Sequence, residues 1–228
     1  ARPAAVNEPT VAGVEGTGEI LRLASSLGPE DVCVALISGG GSALLPAPVK
    51  GVSLEDKLAA TRFLSRSGAT IQELNAVRTC ISQIKGGGLA RACRAGTLVT
   101  LIISDVIGDP LEVIASGPTV TTPINAALAA DVLKKFDANR SQIAGSIHER
   151  VELLLREPSA VSTRCRVENR IIGNNAVAVH AAAEEAHSLG IDDVRIVGVE
   201  QGGIASDAGR ELAHDCRILR DSFSEPLA

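Results

Sequence analysis

The sequence predicts an α/β fold: a three-layer, Rossmann-like domain built on a mainly parallel sheet. Three observations carry this expectation. Short apolar runs alternate with amphipathic stretches of helical period, and no repeat or low-complexity tract interrupts them. The two cleanest runs, residues 32–37 and 98–103, are almost wholly apolar, the pattern of strands covered on both faces of a parallel sheet. Each runs directly into a polar or glycine-rich turn, Ser38-Gly39-Gly40-Gly41-Ser42 after the first and Ser104-Asp105 after the second. Residues 1–228 are expected to form a single α/β domain.

The elements follow in order. A helix over 10–27 shows apolar residues three and four apart. Beyond the first strand and its glycine turn, Ser53 with Asp56 and Thr70 with Glu73 each place a capping side chain and an acid three residues later. Such pairs satisfy the free amides of a helix start, so two helices begin there, and Gly68 closes the first. Helices over 124–136 and 141–156 follow the second strand. Then come a third strand over 167–172, a helix over 175–189, a fourth strand over 194–199 and a last helix over 204–219. Glu168, Asn169, Arg170 and Arg195 interrupt the last two strands, which marks them as edge or partly exposed strands. Four strands are few for this many helices, and the sequence contains no Met even at position 1. Both features lead to the expectation of a piece of a longer protein, truncated at both ends.

Composition excludes several classes. The net charge of −5 is spread without long like-charged blocks, so no basic face is offered to nucleic acid or to an anionic membrane. Phe63, Phe136 and Phe223 are the only aromatic residues, too few for a base-stacking surface. No apolar run approaches the roughly 20 residues of a membrane-spanning helix. The five cysteines form no CxxC pair and have no histidine at zinc-site spacing, which favours reduced thiols in the cytoplasm over disulfides or a structural metal. His148, His180, His187 and His214 all fall in helical stretches without a triad partner and are expected at the surface or in grooves.

Three loop clusters could carry chemistry. In Ser38-Gly39-Gly40-Gly41-Ser42, glycines let backbone amides approach an anion and the serines add hydroxyl donors, although a ligand-free strand-to-helix turn has the same composition. On the helix that begins near Thr70, Asn75, Arg78 and Ser82 fall on one face, followed by Lys85 and a flexible Gly86-Gly87-Gly88 break; a solvated helix face is the alternative. In Ser104-Asp105-Val106-Ile107-Gly108-Asp109-Pro110, two carboxylates beyond a buried strand suit magnesium binding or proton acceptance, and turn formation competes as an explanation for Asp109. Ser116 and Thr119 lie just downstream, and Gly173-Asn174-Asn175 follows the third strand with an Asn available as helix cap or ligand. Neither a Walker A loop nor a dinucleotide fingerprint is present.

Taken together, these blocks resemble the class-II glycerate kinases, the glycerate 2-kinase family whose members carry a C-terminal MOFRL domain. The resemblance covers roughly residues 7–219 and corresponds to most of the family's first domain, without its N-terminal glycine-rich block or its second domain. It implies transfer of the ATP γ-phosphate to the 2-hydroxyl of D-glycerate with Mg2+ as cofactor, in a cleft between two domains. Carried onto this sequence, it assigns Ser38, Gly39, Gly40, Gly41, Ser42, Asn75, Ser116, Thr119 and Asn174 to substrate or phosphate binding. Asp105, Lys85 and Arg78 become the catalytic groups, and Asp105 with Asp109 the metal ligands. The expected partner is the small-molecule substrate, with no nucleic acid and no membrane, and a homodimer is compatible. The 228 residues alone are expected to lack useful turnover, because one wall of the cleft would be missing. A hydroxypyruvate reductase and a non-catalytic ligand-binding module are the alternatives.

Overall fold

Three strands, β1 (Val32–Ile37), β2 (Thr97–Ile103) and β3 (Arg166–Gly173), pair in parallel in the order β1-β2-β3. Val32 stands opposite Thr97 and Ile37 opposite Ile102, while Leu98 and Ile102 meet Val167 and Ile171 on the other side. The computed structural model describes residues 8–157, 162–200 and 202–222. It divides the chain into two units, Ala1–Asn174 and Asn175–Ala228.

The first three predicted strands therefore form, each within about a residue of its expected ends. The fourth does not: residues 194–199 adopt no regular structure. A short apolar run becomes a strand only where a neighbour takes up its amides and carbonyls, and the described residues of this run enter no ladder.

Helix starts follow their caps. Helix α1 (Val11–Ser26) opens on Thr10, whose hydroxyl accepts from the Gly13 amide. The four-residue turn of helix α2 (Gly41–Leu44) follows β1. Helix α3 (Leu54–Arg66) opens on Ser53, and α4 (Ile71–Cys80) on a complete capping box between Thr70 and Glu73. Gly68, at φ +84°, ends α3 as its position suggested. Helices α5 (Gly88–Ala92), α6 (Ala126–Phe136) and α7 (Gly145–Arg156) complete the first unit.

The apolar stripes of these helices do not all return to the sheet. Leu64 of α3, Val77 of α4, Val132 of α6 and Val151 of α7 meet in one helical core. A separate core joins Ala24 of α1 and Leu89 of α5 to Leu98 and Val167 on one face of the sheet. The opposite face carries Val32, Val34 and Leu36, which are 64%, 58% and 78% exposed. Cover on both faces was the expectation for β1. Within the first unit four helices bury their stripes against one another instead. The second unit consists of α8 (Asn175–Ser188) and α9 (Ala205–Ser222), and Asn175 donates from its side chain to the Val199 carbonyl at 2.6 Å. No described helix is long and apolar enough to cross a membrane, and the five cysteines are free thiols.

His148 is not a surface residue: it is buried on α7 and its Nε2 lies 3.2 Å from Asp137 Oδ2. Asp137 ends α6 and clamps the next loop, accepting from the amides of Ser141, Gln142 and Ile143 at 2.8, 3.1 and 2.8 Å. Burial alone would raise its carboxyl, but the three amides and His148 outweigh it and hold the group below the ordinary aspartate range. A depressed native value makes the clamp's contribution full above the unfolded aspartate value, about 3.9, and lost as pH falls through the native one. Asp137→Asn is accordingly expected to cost about 2–3 kcal/mol in urea unfolding at pH 7. The gap between wild type and variant should shrink below about pH 4. Equal stabilities at pH 7 would show the clamp to be dispensable.

Candidate active site

The parallel register brings the ends of β1 and β2 together. Ile37 pairs with Ile102, so the loops that follow each strand leave the sheet side by side. A Cβ on Gly39 would lie 2.3 Å from Asp105 Oδ2, and one on Gly41 would lie 2.9 Å from Ala115 Cβ. Two of the three glycines after β1 are thus needed for close approach, while Gly40 takes the left-handed turn at φ +78° that starts α2.

The Lys85-Gly86-Gly87-Gly88 turn is fixed rather than flexible. Gly86 and Gly87 have positive φ, and their amides donate to the carbonyls of Ser116 and Gly117 at 2.9 and 2.7 Å. The Leu89 amide continues the pairing to Pro118. On the other side of this contact Ala115, Ser116 and Gly117 are all left-handed, at φ 52°, 63° and 58°. For Ala and Ser that conformation costs about 1–2 kcal/mol each. Strain of this kind persists only where neighbours over-determine it, and it clusters at functional sites.

These loops converge on one buried ammonium. Lys85 is 1% exposed, and its Nζ donates to the Ser42 carbonyl at 2.8 Å, to Ser42 Oγ at 2.9 Å and to Ser116 Oγ at 3.1 Å. The two hydroxyls are themselves 2.9 Å apart. Arg78 reaches the same serine from α4, donating to Ser42 Oγ at 2.5 Å, while its other terminal nitrogen donates to Asn75 Oδ1 at 3.3 Å. Ser42, Asn75, Arg78, Lys85 and Ser116 are therefore one cluster. Every acceptor in it is neutral. Burial, then the charges of Arg78 and Lys57, push the Lys85 ammonium well below the usual lysine value, and burial lowers Arg78 as well.

The remaining candidates lie apart from this cluster or are otherwise engaged. Ser38 is exposed at the end of β1. Thr119 is buried, and its hydroxyl donates to Asn169 Oδ1 at 2.6 Å, which ties the loop to β3. Asn174 donates to Asp109 Oδ2 at 2.6 Å. Asp109 sits at φ +53° in its turn, and the Ser104 hydroxyl and Asn174 hold its carboxyl below the usual range. Ser82 falls beyond the end of α4, so it leaves the stripe of Asn75 and Arg78, and its hydroxyl accepts from the Lys85 amide. Asp105 is exposed against Gly39, with no hydrogen bond to its carboxylate among the described residues. Among those residues no group of three or more potential metal ligands occurs. One open carboxylate, with a second in the same loop, does fit Mg2+, which commonly takes one or two protein carboxylates and completes its shell with water and substrate phosphates.

One residue of the site escaped sequence reasoning. Lys57 of α3 is 3% exposed, and its Nζ has no hydrogen-bond partner among the described residues. Burial, reinforced by the charge of Arg78, pulls it down to about 8. A signal was present: Lys57 stands with Ala60 and Leu64 on the buried stripe of the helix, where a lysine is out of place. Beside the cluster lies a cavity of about 440 Å3 lined by Asn75, Thr79, Gly86, Ser116 and Asn125 among others.

Fold and site define a parallel α/β protein with a cation-rich crevice at the carboxyl ends of its strands. The chain belongs to the family described as a domain of unknown function, DUF4147, whose profile matches residues 1–152. It is 44% identical to the glycerate kinase of Homo sapiens over 189 residues, covering 83% of this chain and 36% of that protein. It is 40% identical to the glycerate 2-kinase of Pyrococcus horikoshii over 204 residues, covering 88% of this chain and 46% of the relative. The crystal structure of a glycerate kinase from Thermotoga maritima superposes with a TM-score of 0.70 at 35% identity, over 80% of this chain and 42% of that one. The chain thus spans less than half the length of each of these relatives.

A buried cation without partners costs stability. Lys57→Met keeps the stem and removes the charge, and is expected to raise unfolding stability at pH 7 by about 1–3 kcal/mol. The folded-state value lies below the unfolded one, so the wild type recovers stability as pH climbs from about 8 toward the unfolded lysine value of about 10.4. The variant's advantage should therefore fade over that window. A variant less stable than wild type at pH 7 would show that Lys57 is compensated.

Proposed function

We propose that the protein carrying this chain is a glycerate 2-kinase: it transfers the γ-phosphoryl group of ATP to the 2-hydroxyl of D-glycerate, giving 2-phosphoglycerate and ADP. The observation that carries the reading is the convergence of Arg78 and Lys85 on Ser42, and of Lys85 on Ser116, with no carboxylate among their partners in the described residues. The similarity to glycerate kinases over most of the chain supports it. Phosphoryl transfer asks little covalent chemistry of the protein and depends on donors and cations aimed at phosphate oxygens. The cluster supplies those types.

In this reading Arg78, Lys85 and the two serine hydroxyls hold and orient phosphoryl oxygens, and the Gly39 to Gly41 backbone contributes amides. Ser38, Asn75, Thr119 and Asn174 serve the same crevice, the last two by fixing its loops. Asp105 stands at the open end of β2, where it accepts the proton of the attacking hydroxyl or holds Mg2+ together with Asp109. Mg2+, when bound, supplies neutralisation of the charge that develops on the phosphoryl oxygens. The same reading carries a cytoplasmic location, in keeping with the free thiols.

Product analysis of the intact protein with ATP and D-glycerate decides the reading: 2-phosphoglycerate supports it, and 3-phosphoglycerate alone, or NADH-dependent turnover of hydroxypyruvate without phosphotransfer, replaces it. Asp105→Asn preserves shape while removing charge. A loss of about 10²- to 10⁴-fold in kcat is expected if Asp105 is the base, and partial recovery in excess magnesium if it is a ligand. Asp109→Asn, with its turn role, should lose stability before turnover. Near-normal kcat for Asp105→Asn at limiting magnesium removes Asp105 from the mechanism.

A further inference from the structure

A second cavity, of about 190 Å3, lies beneath α3 and shares no lining residue with the larger one. Its walls include Ser42, Lys57, Thr61, Arg62 and Arg78. Glu8 is the one carboxylate among its lining residues, and it is engaged by Arg62, whose Nη2 donates to Glu8 Oε2 at 2.6 Å. The Thr61 hydroxyl is turned to its own helix, donating to the Lys57 carbonyl at 2.8 Å. Among the described residues Arg78 hydrogen-bonds neutral oxygens, those of Ser42 and Asn75. Lys57 is buried with its three donors unmatched among the described residues.

Donors and positive charge therefore converge here without acceptors to match them. A cation would be repelled by Lys57 and Arg78, and a neutral group would leave both charges uncompensated. An oxyanion answers charge and hydrogen bonding together, since a carboxylate or phosphoryl group accepts without donating. The volume is below the roughly 300–1,000 Å3 of sites that enclose a whole drug-sized ligand, which suits one anionic group with some of its water. We propose that the cavity beneath α3 is an oxyanion subsite in which Lys57 and Arg78 hold one small oxyanion, the carboxylate of the hydroxy-acid acceptor or a phosphoryl group. The presence of the subsite stands on the geometry of Lys57; its assignment to an acceptor or a nucleotide rests on the kinase reading.

The test has two arms. In the first, the 228-residue chain and Lys57→Met are titrated with inorganic phosphate and with D-glycerate by calorimetry, and circular dichroism and thermal unfolding establish that the variant is folded. Saturable binding of either anion by the wild type, weakened about tenfold or more in Lys57→Met, supports the subsite. Equal affinities, or no binding of either anion to the wild type, overturn it. In the second arm, steady-state kinetics of the intact protein separate the sources. A raised KM for D-glycerate with an unchanged KM for ATP assigns the carboxylate, and the reverse assigns a phosphoryl group. A fall in kcat with both KM values unchanged overturns the subsite in favour of a structural role. If the intact protein transfers no phosphoryl group, the kinase reading fails while the first arm still decides on Lys57.

Discussion

The buried Lys85 ammonium is the interaction on which the rest of the site depends. It binds three segments that are far apart in sequence: its own glycine turn, Ser42 after β1 and Ser116 after β2. Taking an ammonium out of water costs several kcal/mol even after relaxation, and the three oxygens that receive it are neutral. Arg78 competes for the same serine and, like Lys57, repels it. Hydrogen bonding is satisfied at Lys85, but charge is not. Removing either serine hydroxyl would leave a donor of a buried cation without its acceptor, which is why the positions of these side chains cannot be tuned independently.

The backbone pays for that convergence. Ala115 and Ser116 accept left-handed conformations that glycine would take freely, and they do so where the Gly86 and Gly87 amides grip the carbonyls of Ser116 and Gly117. Glycine is required on one side of this contact because a Cβ on Gly87 would meet the Val120 carbonyl at 2.7 Å. The same logic holds at Gly39 and Gly41, where the loops after the two strands pass within contact distance. Parallel pairing of Ile37 with Ile102 makes those loops neighbours, so a run of glycines in one and a carboxylate in the other lie side by side at the strand ends.

Much of this was legible in the sequence, and the omissions share a physical cause. Periodicity and capping report on the local chain, and they located the first three strands, the helix starts at Ser53 and Thr70, and the stop at Gly68. The SGGGS, Asn75 to Lys85 and Ser116 segments were singled out by composition, and Ser42, Asn75, Arg78, Lys85 and Ser116 do meet. Long-range partnership has no such local signature. That Thr119 is tied to Asn169, Asn174 to Asp109, and His148, expected at the surface or in a groove, to a buried Asp137 could not be read from the local sequence. The run over 194–199 has strand composition, but a strand also needs a ladder, which composition does not reveal. Cover of both faces of β1 was inferred from apolarity, whereas the intervening helices found their apolar partners in one another.

The distribution of local imperfections is itself informative. Away from the crevice many local requirements are met: side-chain caps open α1, α3, α4 and α6, and the buried Asp137 receives three amides and a histidine. Exceptions there are Arg140, which is left-handed, α7, which starts without a side-chain cap, and the buried Thr100 hydroxyl, which has no partner among the described residues. Within and beside it the requirements are broken repeatedly, by the left-handed Asp109, Ala115 and Ser116, by an ammonium held on neutral oxygens, and by a lysine on an apolar helix stripe without a hydrogen-bond partner among the described residues. Each feature lowers the stability of the free protein, and a well-packed apolar replacement at Lys57 would remove one of them. Where several independent local rules fail together at one place, function is the economical explanation. The sign of the failures specifies it further. At Lys57, Lys85 and Arg78 the charge without a carboxylate partner among the described residues is positive, in a chain whose net charge is −5, and the open carboxylate of Asp105 lies in the neighbouring loop. In the proposed reading these cations select oxyanions by their local field rather than by overall attraction.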